Sequence, residues 1–233
     1  MRARLGLSSG SVPRLRACDL AVLTRGGGGT VVDLRAGKGQ RWEQDGIAAL
    51  AGLPIAFVGV SVTLGQMDTG EGFAAARRFP GLPVKVLAAE GAAGRRMCDD
   101  QIAALTRDRD ASDILIETHR GGAGPAELAD LCHRYGCALV IDNLGLYEIS
   151  ADFAGDAMAL APLARAVQVK GFTPAPYPGE RPRHRPLTAD DLPWLDVFAG
   201  ASVDITVESR AGAPAQDLAV LARTWKAVAC ALP

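Results

Sequence analysis

The chain has 233 residues, 48% of them hydrophobic, and a formal net charge of -1. That length suits one closed α/β barrel of roughly 250 residues better than one sandwich or open sheet. The balanced charge argues against a nucleic-acid partner, which would show a basic face; no apolar run reaches the roughly 18 residues needed to span a bilayer, so no membrane association is expected.

Strand-like and helix-like stretches then alternate from end to end. Ala3–Ser8 opens as a strand, and its start, MRARLGLSSGSV, lacks the apolar core of a signal peptide, which makes the expected location cytoplasmic. Val12–Thr24 reads as a short first helix. The glycine run Gly26–Gly29 precedes a strand, Thr30–Arg35, and reads as a flexible loop. Gln40–Ala51 carries Ile47, Leu50 and Ala51 on one helical face. There follow a strand at Ile55–Val62, an Ala- and Arg-rich helix at Glu71–Phe79, a strand at Val84–Ala88 and a helix at Asp99–Arg107.

Asp113–Thr118 and Ala138–Asp142 are nearly continuous in Val, Ile and Leu, the pattern of strands covered on both faces. Between them, Pro125–Tyr135 opens on a Pro and stops at Gly136, a helix with its first turn and its C-terminal cap both marked. Ala166–Lys170 is a seventh strand. A long irregular stretch, Thr173–Arg185, follows it, and a loop of that length inside a compact domain is usually functional or disordered. Val203–Glu208 is the eighth strand, and Pro214–Leu232 closes the chain as a helix with Leu218, Leu221, Trp225 and Val228 at helical spacing. Eight alternations with no second domain predict an α/β fold, a single (β/α)8 TIM barrel over residues 1–233. The rival, an open doubly wound sheet, usually carries G-x-G-x-x-G after its first strand; here that turn reads GLSSGSV. The cysteines Cys18, Cys98, Cys132, Cys137 and Cys230 form no C-x-x-C pair and read as reduced, mostly buried thiols.

Chemistry in such a barrel sits where the strands end. Strand two ends in Asp33 and Arg35, strand five in Glu117 and His119, strand six in Asp142 and Asn143, strand seven in Gln168 and Lys170, and strand eight in Glu208. Residues two apart on a strand point the same way, so each of these pairs except Asp142 and Asn143 shares a face. An acid ending an apolar strand is costly to bury without a partner. Taken singly, each reads as a helix cap or a surface ion pair, Asp142 before Asn143 above all. Taken together, Glu117, Asp142 and Glu208 read as one site. Carboxylates that converge need a cation or a shared proton, and a hard divalent ion would serve.

At these residues the sequence resembles the xylose isomerase-like barrel superfamily: sugar-phosphate isomerases and epimerases, ketose 3-epimerases, hydroxypyruvate isomerase and endonuclease-IV-like proteins. The resemblance rests on Glu117 with His119, on Asp142, on Gln168-Val169-Lys170-Gly171 in place of H-x-K-D, and on Glu208. It implies a Mn, Mg or Co ion held by Glu117, Asp142, Gln168 and Glu208, with Glu117 and Glu208 moving a proton beside a carbonyl and Lys170 and His119 orienting oxygens. Gln168 stands where the family has His, and Gly145 stands where a further His is usual. The reaction implied is metal-assisted isomerisation or epimerisation of a small hydroxy-carbonyl compound, sugar-like or sugar-phosphate-like. Arg35, Asn143, Arg183 and Arg185 are candidate substrate contacts for an anionic group, although Arg181, Arg183, His184 and Arg185 read first as a solvated charge cluster. Trp42 and Trp194 read as packing residues that could alternatively line a sugar pocket. Two alternatives stay open: a lyase or dehydratase on the same scaffold, and a non-catalytic barrel that has lost its metal. A homodimer is a reasonable expectation.

Overall fold

Runs such as ALVID and DILIE bury both faces, so they need helices outside and side chains inside, and a ring of parallel strands supplies both. The computed structural model describes residues 3–230 apart from 69 and 178, and no side chain beyond residue 227. Val228 and Cys230 on the last helix therefore lie outside the described side chains.

Eight parallel strands close a barrel in sequence order: β1 (Arg4–Ser8), β2 (Val31–Arg35), β3 (Ile55–Leu64), β4 (Val84–Ala88), β5 (Ile114–Glu117), β6 (Ala138–Asp142), β7 (Ala164–Val169) and β8 (Asp204–Val207). The ring shuts where Arg4 pairs with Asp204 and Leu7 with Val207. The expected strands are all present; β3 runs two residues further than expected, with a register shift against β4 between Gly59 and Thr63.

The helices are α1 (Ala17–Gly26), α2 (Trp42–Asp45), α3 (Glu71–Arg77), α4 (Arg96–Leu105), α5 (Pro125–Tyr135), α6 (Asn143–Ile149), α7 (Phe153–Leu160) and α8 (Pro214–Cys230). The helix expected over residues 40–51 breaks at Gly46, whose φ of 77° is outside the helical region, and resumes as a 3-10 turn at Ile47–Leu50. α5 matches its expected bounds and ends on Gly136 at φ 71°. α6 and α7 fill a crossover where the sequence marks only the cap at Asp142. Among the described residues between β7 and β8 there is no α-helix. The chain there folds back as a short hairpin, Phe172–Thr173 against Arg183–His184, and continues through 3-10 turns at Ala189–Asp191 and Pro193–Phe198.

The main core lies between the strands and the helix layer, where Leu34, Val58, Ile116, Ile141 and Val167 meet Leu20, Ile102, Leu128 and Leu221. Val31, Phe57, Leu115, Val140 and Ala166 form a separate apolar plug inside the barrel. Burying a side chain such as Phe57 contributes about 1.5–3 kcal/mol, and the plug leaves the other end of the interior to polar groups. Trp42 is buried with its indole N–H on Gln40 at 3.0 Å, and Trp194 packs edge-on against Phe153 and Phe198; neither lines the polar mouth. Cys98, Cys132 and Cys137 are free and buried, and Cys18 is free and exposed. Among the described residues no helix is long and apolar enough to cross a membrane.

Candidate active site

Strand alternation decides what enters the barrel. On β4, Val84 and Val86 face the helices, which turns Lys85 inward. Gly59 on the adjacent β3 leaves room for it: a Cβ there would stand 3.2 Å from the Lys85 Cε. Lys85 Nζ reaches across to Glu117 Oε1 at 2.8 Å and donates to Gln168 Oε1 at 3.1 Å. Gln168, fully buried, passes the chain of contacts on by donating its Nε2 to Asp33 Oδ2 at 3.1 Å. Asp33 also accepts from Ser8 Oγ at 2.7 Å and from Thr206 Oγ1 at 2.5 Å. One continuous polar layer thus joins β1, β2, β4, β5, β7 and β8 above the apolar plug.

A second cluster lies one step nearer the mouth. Lys170, the first residue after β7, places Nζ against Asp142 Oδ2 and 2.8 Å from Glu208 Oε2. Arg210 Nη2 sits 2.6 Å from Glu208 Oε1 and Arg35 Nη1 sits 3.4 Å from it. Gly10 admits this packing, since a Cβ there would come 2.6 Å from Glu208 Oε1. The other oxygen of Asp142 accepts the Gly145 N–H at 2.9 Å, so Asp142 caps α6 and binds Lys170 at once. Asn143 exchanges two hydrogen bonds with the Lys170 backbone, each 2.9 Å, and so fixes where Lys170 leaves its strand.

These groups floor a cleft of about 330 Å³ at the carboxyl ends of the strands. Glu117, Lys170, Glu208, Lys85, Arg35 and His119 line it, with His119 exposed at the rim. The structure therefore brings Glu117, Asp142, Gln168, Lys170 and Glu208 into one neighbourhood, as the strand-end reading expects. Three candidate substrate contacts are used otherwise. Asn143 is committed to the Lys170 backbone. Arg185 is held by Asp191 through two contacts of 2.7 and 2.5 Å. Arg183 is exposed on the hairpin and does not line the cleft. Only Arg35 of the four does.

Charge sets the behaviour of the site. Burial opposes ionisation of Glu208, but Lys170, Lys85 and Arg210 outweigh it and hold its carboxyl well below the usual range. Burial likewise opposes the charge on Lys170, and Asp142, Glu208 and Glu117 overcome it and hold the ammonium above its usual range. Burial pushes the Asp142 carboxyl up in spite of Lys170, so Glu208 is the firmly ionised partner of that lysine. Burial also pushes Asp33 up, against its hydroxyl donors. His184 is pushed down by burial and then by Lys170 and Arg210, which favours its neutral form.

The acids at the strand ends were visible in the sequence, Asp33 among them though it was given no role; Lys85, Ser8, Thr206 and Arg210 were not assigned to the site. Lys85 left the plainest sign, a lone charge in the apolar run PVKVLA.

A divalent ion needs several lone pairs turned toward one point. Here Lys85 takes an oxygen of both Glu117 and Gln168, while Lys170 takes one from both Asp142 and Glu208. Among the described residues no group of three or more His, Cys, Asp or Glu side chains is arranged to hold a metal ion. Gly145 cannot be replaced by a ligand either, because a Cβ there would lie 1.9 Å from the Thr118 carbonyl oxygen. The side chains as they stand do not fit the expected Mn, Mg or Co site.

No family model matches the chain, and no curated protein matches it in sequence. Solved structures do match in shape. A xylose isomerase domain containing protein from Salmonella typhimurium superposes with a TM-score of 0.67 at 12% identity, over 98% of this chain and 99% of that one. The 3-keto-D-glucoside 4-epimerase YcjR from E. coli gives 0.66 at 14%, over 97% and 100%. An L-ribulose 3-epimerase gives 0.63 at 14%, over 97% and 96%. The full-length overlap and the closed eight-stranded ring show that this chain shares the (β/α)8 TIM-barrel fold of these xylose isomerase-like structures.

Proposed function

We propose that the chain is an isomerase of the proton-transfer type, acting on a small hydroxy-carbonyl compound of sugar-like or sugar-phosphate-like chemistry. The observation that carries this reading is Glu117, which lines the cleft and is held by a single ammonium group, 2.8 Å from Lys85 Nζ. It is placed to take a proton from the carbon beside a carbonyl. Lys85 and Lys170 then face the oxygens on which charge develops, and donors fixed in advance stabilise an enediolate there. Arg35 and Arg210 at the same cleft suit an anionic substituent. The epimerases among the structural neighbours support the reaction class.

Two-base epimerisation asks Glu208 to accept a proton as well. Lys170, Arg210 and Arg35 all oppose that, so single-base proton transfer through Glu117 is the favoured course. The test is hydrogen exchange. A panel of aldoses, ketoses and their phosphates incubated in heavy water with the protein should include a compound that takes up deuterium beside its carbonyl. Glu117→Gln should slow that uptake by about 100-fold or more. Loss of water from the compound would point to a lyase instead. A panel in which nothing exchanges and nothing raises the melting temperature would favour a binding role.

A further inference from the structure

We infer that Lys170 and Lys85 stand in for a divalent cation, so that this barrel works without a metal. The four residues in ligand positions are paired two and two with ammonium groups: Asp142 and Glu208 on Lys170, Glu117 and Gln168 on Lys85. Two ammonium groups bring the same charge as one divalent ion to the same oxygens. Three features of the surroundings preserve this arrangement. Gln168 is an amide whose nitrogen is tied to Asp33, which leaves its oxygen to face Lys85. Gly59 keeps the path of the Lys85 stem clear. Gly145 lies so close to the Thr118 carbonyl that no imidazole can enter from α6. A cation added to this set would have to displace an ammonium group from a buried carboxylate, and like charges within such a cleft repel strongly.

The lysines would hold substrate oxygens where the resemblance assigns that work to an ion, and this part rests on the isomerase reading. The metal question itself can be answered without any substrate. Protein purified without chelators should contain well under a tenth of an equivalent of Mn, Mg, Co or Zn by elemental mass spectrometry. Its melting temperature should not move with millimolar Mn²⁺ or with EDTA. Lys170→Met leaves Asp142 and Glu208 sharing no ammonium, and this variant should melt lower than wild type and regain several degrees on addition of Mn²⁺. Lys85→Met, which frees Glu117 and Gln168, is the second variant should the first not fold.

Stoichiometric metal in the wild type, or a melting temperature that climbs with Mn²⁺, overturns the inference and leaves the isomerase reading standing. So does a folded lysine variant indifferent to Mn²⁺, because the ammonium would then not stand where an ion can. An exchange panel with no positive compound, beside a metal-free and Mn²⁺-indifferent wild type, removes the isomerase reading alone.

Discussion

Lys85 and Glu117 show what a single residue pair does inside this barrel. Both side chains are nearly inaccessible, at 11% and 8% exposure, and their charges lie 2.8 Å apart. Such a pair gains little over a well-packed apolar one, yet removing one partner leaves a buried charge with no compensation. Lys85→Met should therefore cost about 3 kcal/mol of folding stability. Adding Glu117→Gln to it should return a large part of that loss, since the stranded carboxylate is then neutral. Urea unfolding of the two single variants and the double variant measures this coupling. A double variant that costs the plain sum of the singles would mean that the contact carries no energy. Glu208 differs in kind: it has three cations around one carboxylate, so it acts as an anchor for Lys170 and Arg210 more than as a base.

Secondary-structure elements aim these side chains, and β6 running directly into α6 is the clearest case. No turn separates them; Asp142 ends the strand and caps the helix, and Asn143 begins the helix while gripping Lys170. Asn143→Ala should remove two hydrogen bonds, lower stability by about 1–2 kcal/mol and release the segment that carries Lys170. Deuterium uptake by a responsive substrate should fall roughly tenfold, as expected when a positioned donor loses its geometry. Unchanged exchange would show that β7 alone positions the lysine. The same junction explains what the sequence could and could not tell. The strands were legible because apolar runs bounded by turns leave little choice, and α5 because Pro125 and Gly136 mark its ends. α6 was legible only in its cap, Asp142, since DNLGLYEIS follows its strand without a breaker. The acids were legible from their place at strand ends. Lys85 sits near the start of its strand; it meets Glu117 on the adjacent β5 but reaches Gln168 only by crossing the barrel interior, a contact set by closure of the ring and absent from any local pattern.

At the scale of the whole molecule, closure traps opposite charges in a space with little water, and folding stability must then follow pH. Glu208 has its folded carboxyl held below the ordinary value of about 4.3, so its contribution is complete above that value and is lost as pH falls toward the folded one. Lys170 is shifted the other way; its contribution is complete below about 10.4 and is lost as pH rises through the folded value. Asp33, raised by burial, runs against Glu208: it costs stability once pH exceeds its ordinary value of about 3.9, and that cost disappears in acid. From its value at neutral pH, the plateau, wild type should therefore lose the Glu208 contribution as pH falls below about 4.3 while gaining relief at Asp33 and at Asp142, whose carboxyl burial also raises, so the acid limb measures the balance of these groups. Glu208→Gln should lower the plateau, because Lys170, Arg35 and Arg210 lose their shared anion. It should also flatten the acid fall, because the group that titrates is gone. Asp33→Asn should leave the acid fall steeper, because an opposing contribution is gone, while also taking an acceptor oxygen from the Ser8, Thr206 and Gln168 donors. Urea midpoints measured across the acid range for the three proteins decide the matter. Parallel acid limbs in wild type and Glu208→Gln would show that Glu208 is not the ionised centre of the cluster, and the cations at the barrel mouth would then need another counter-charge.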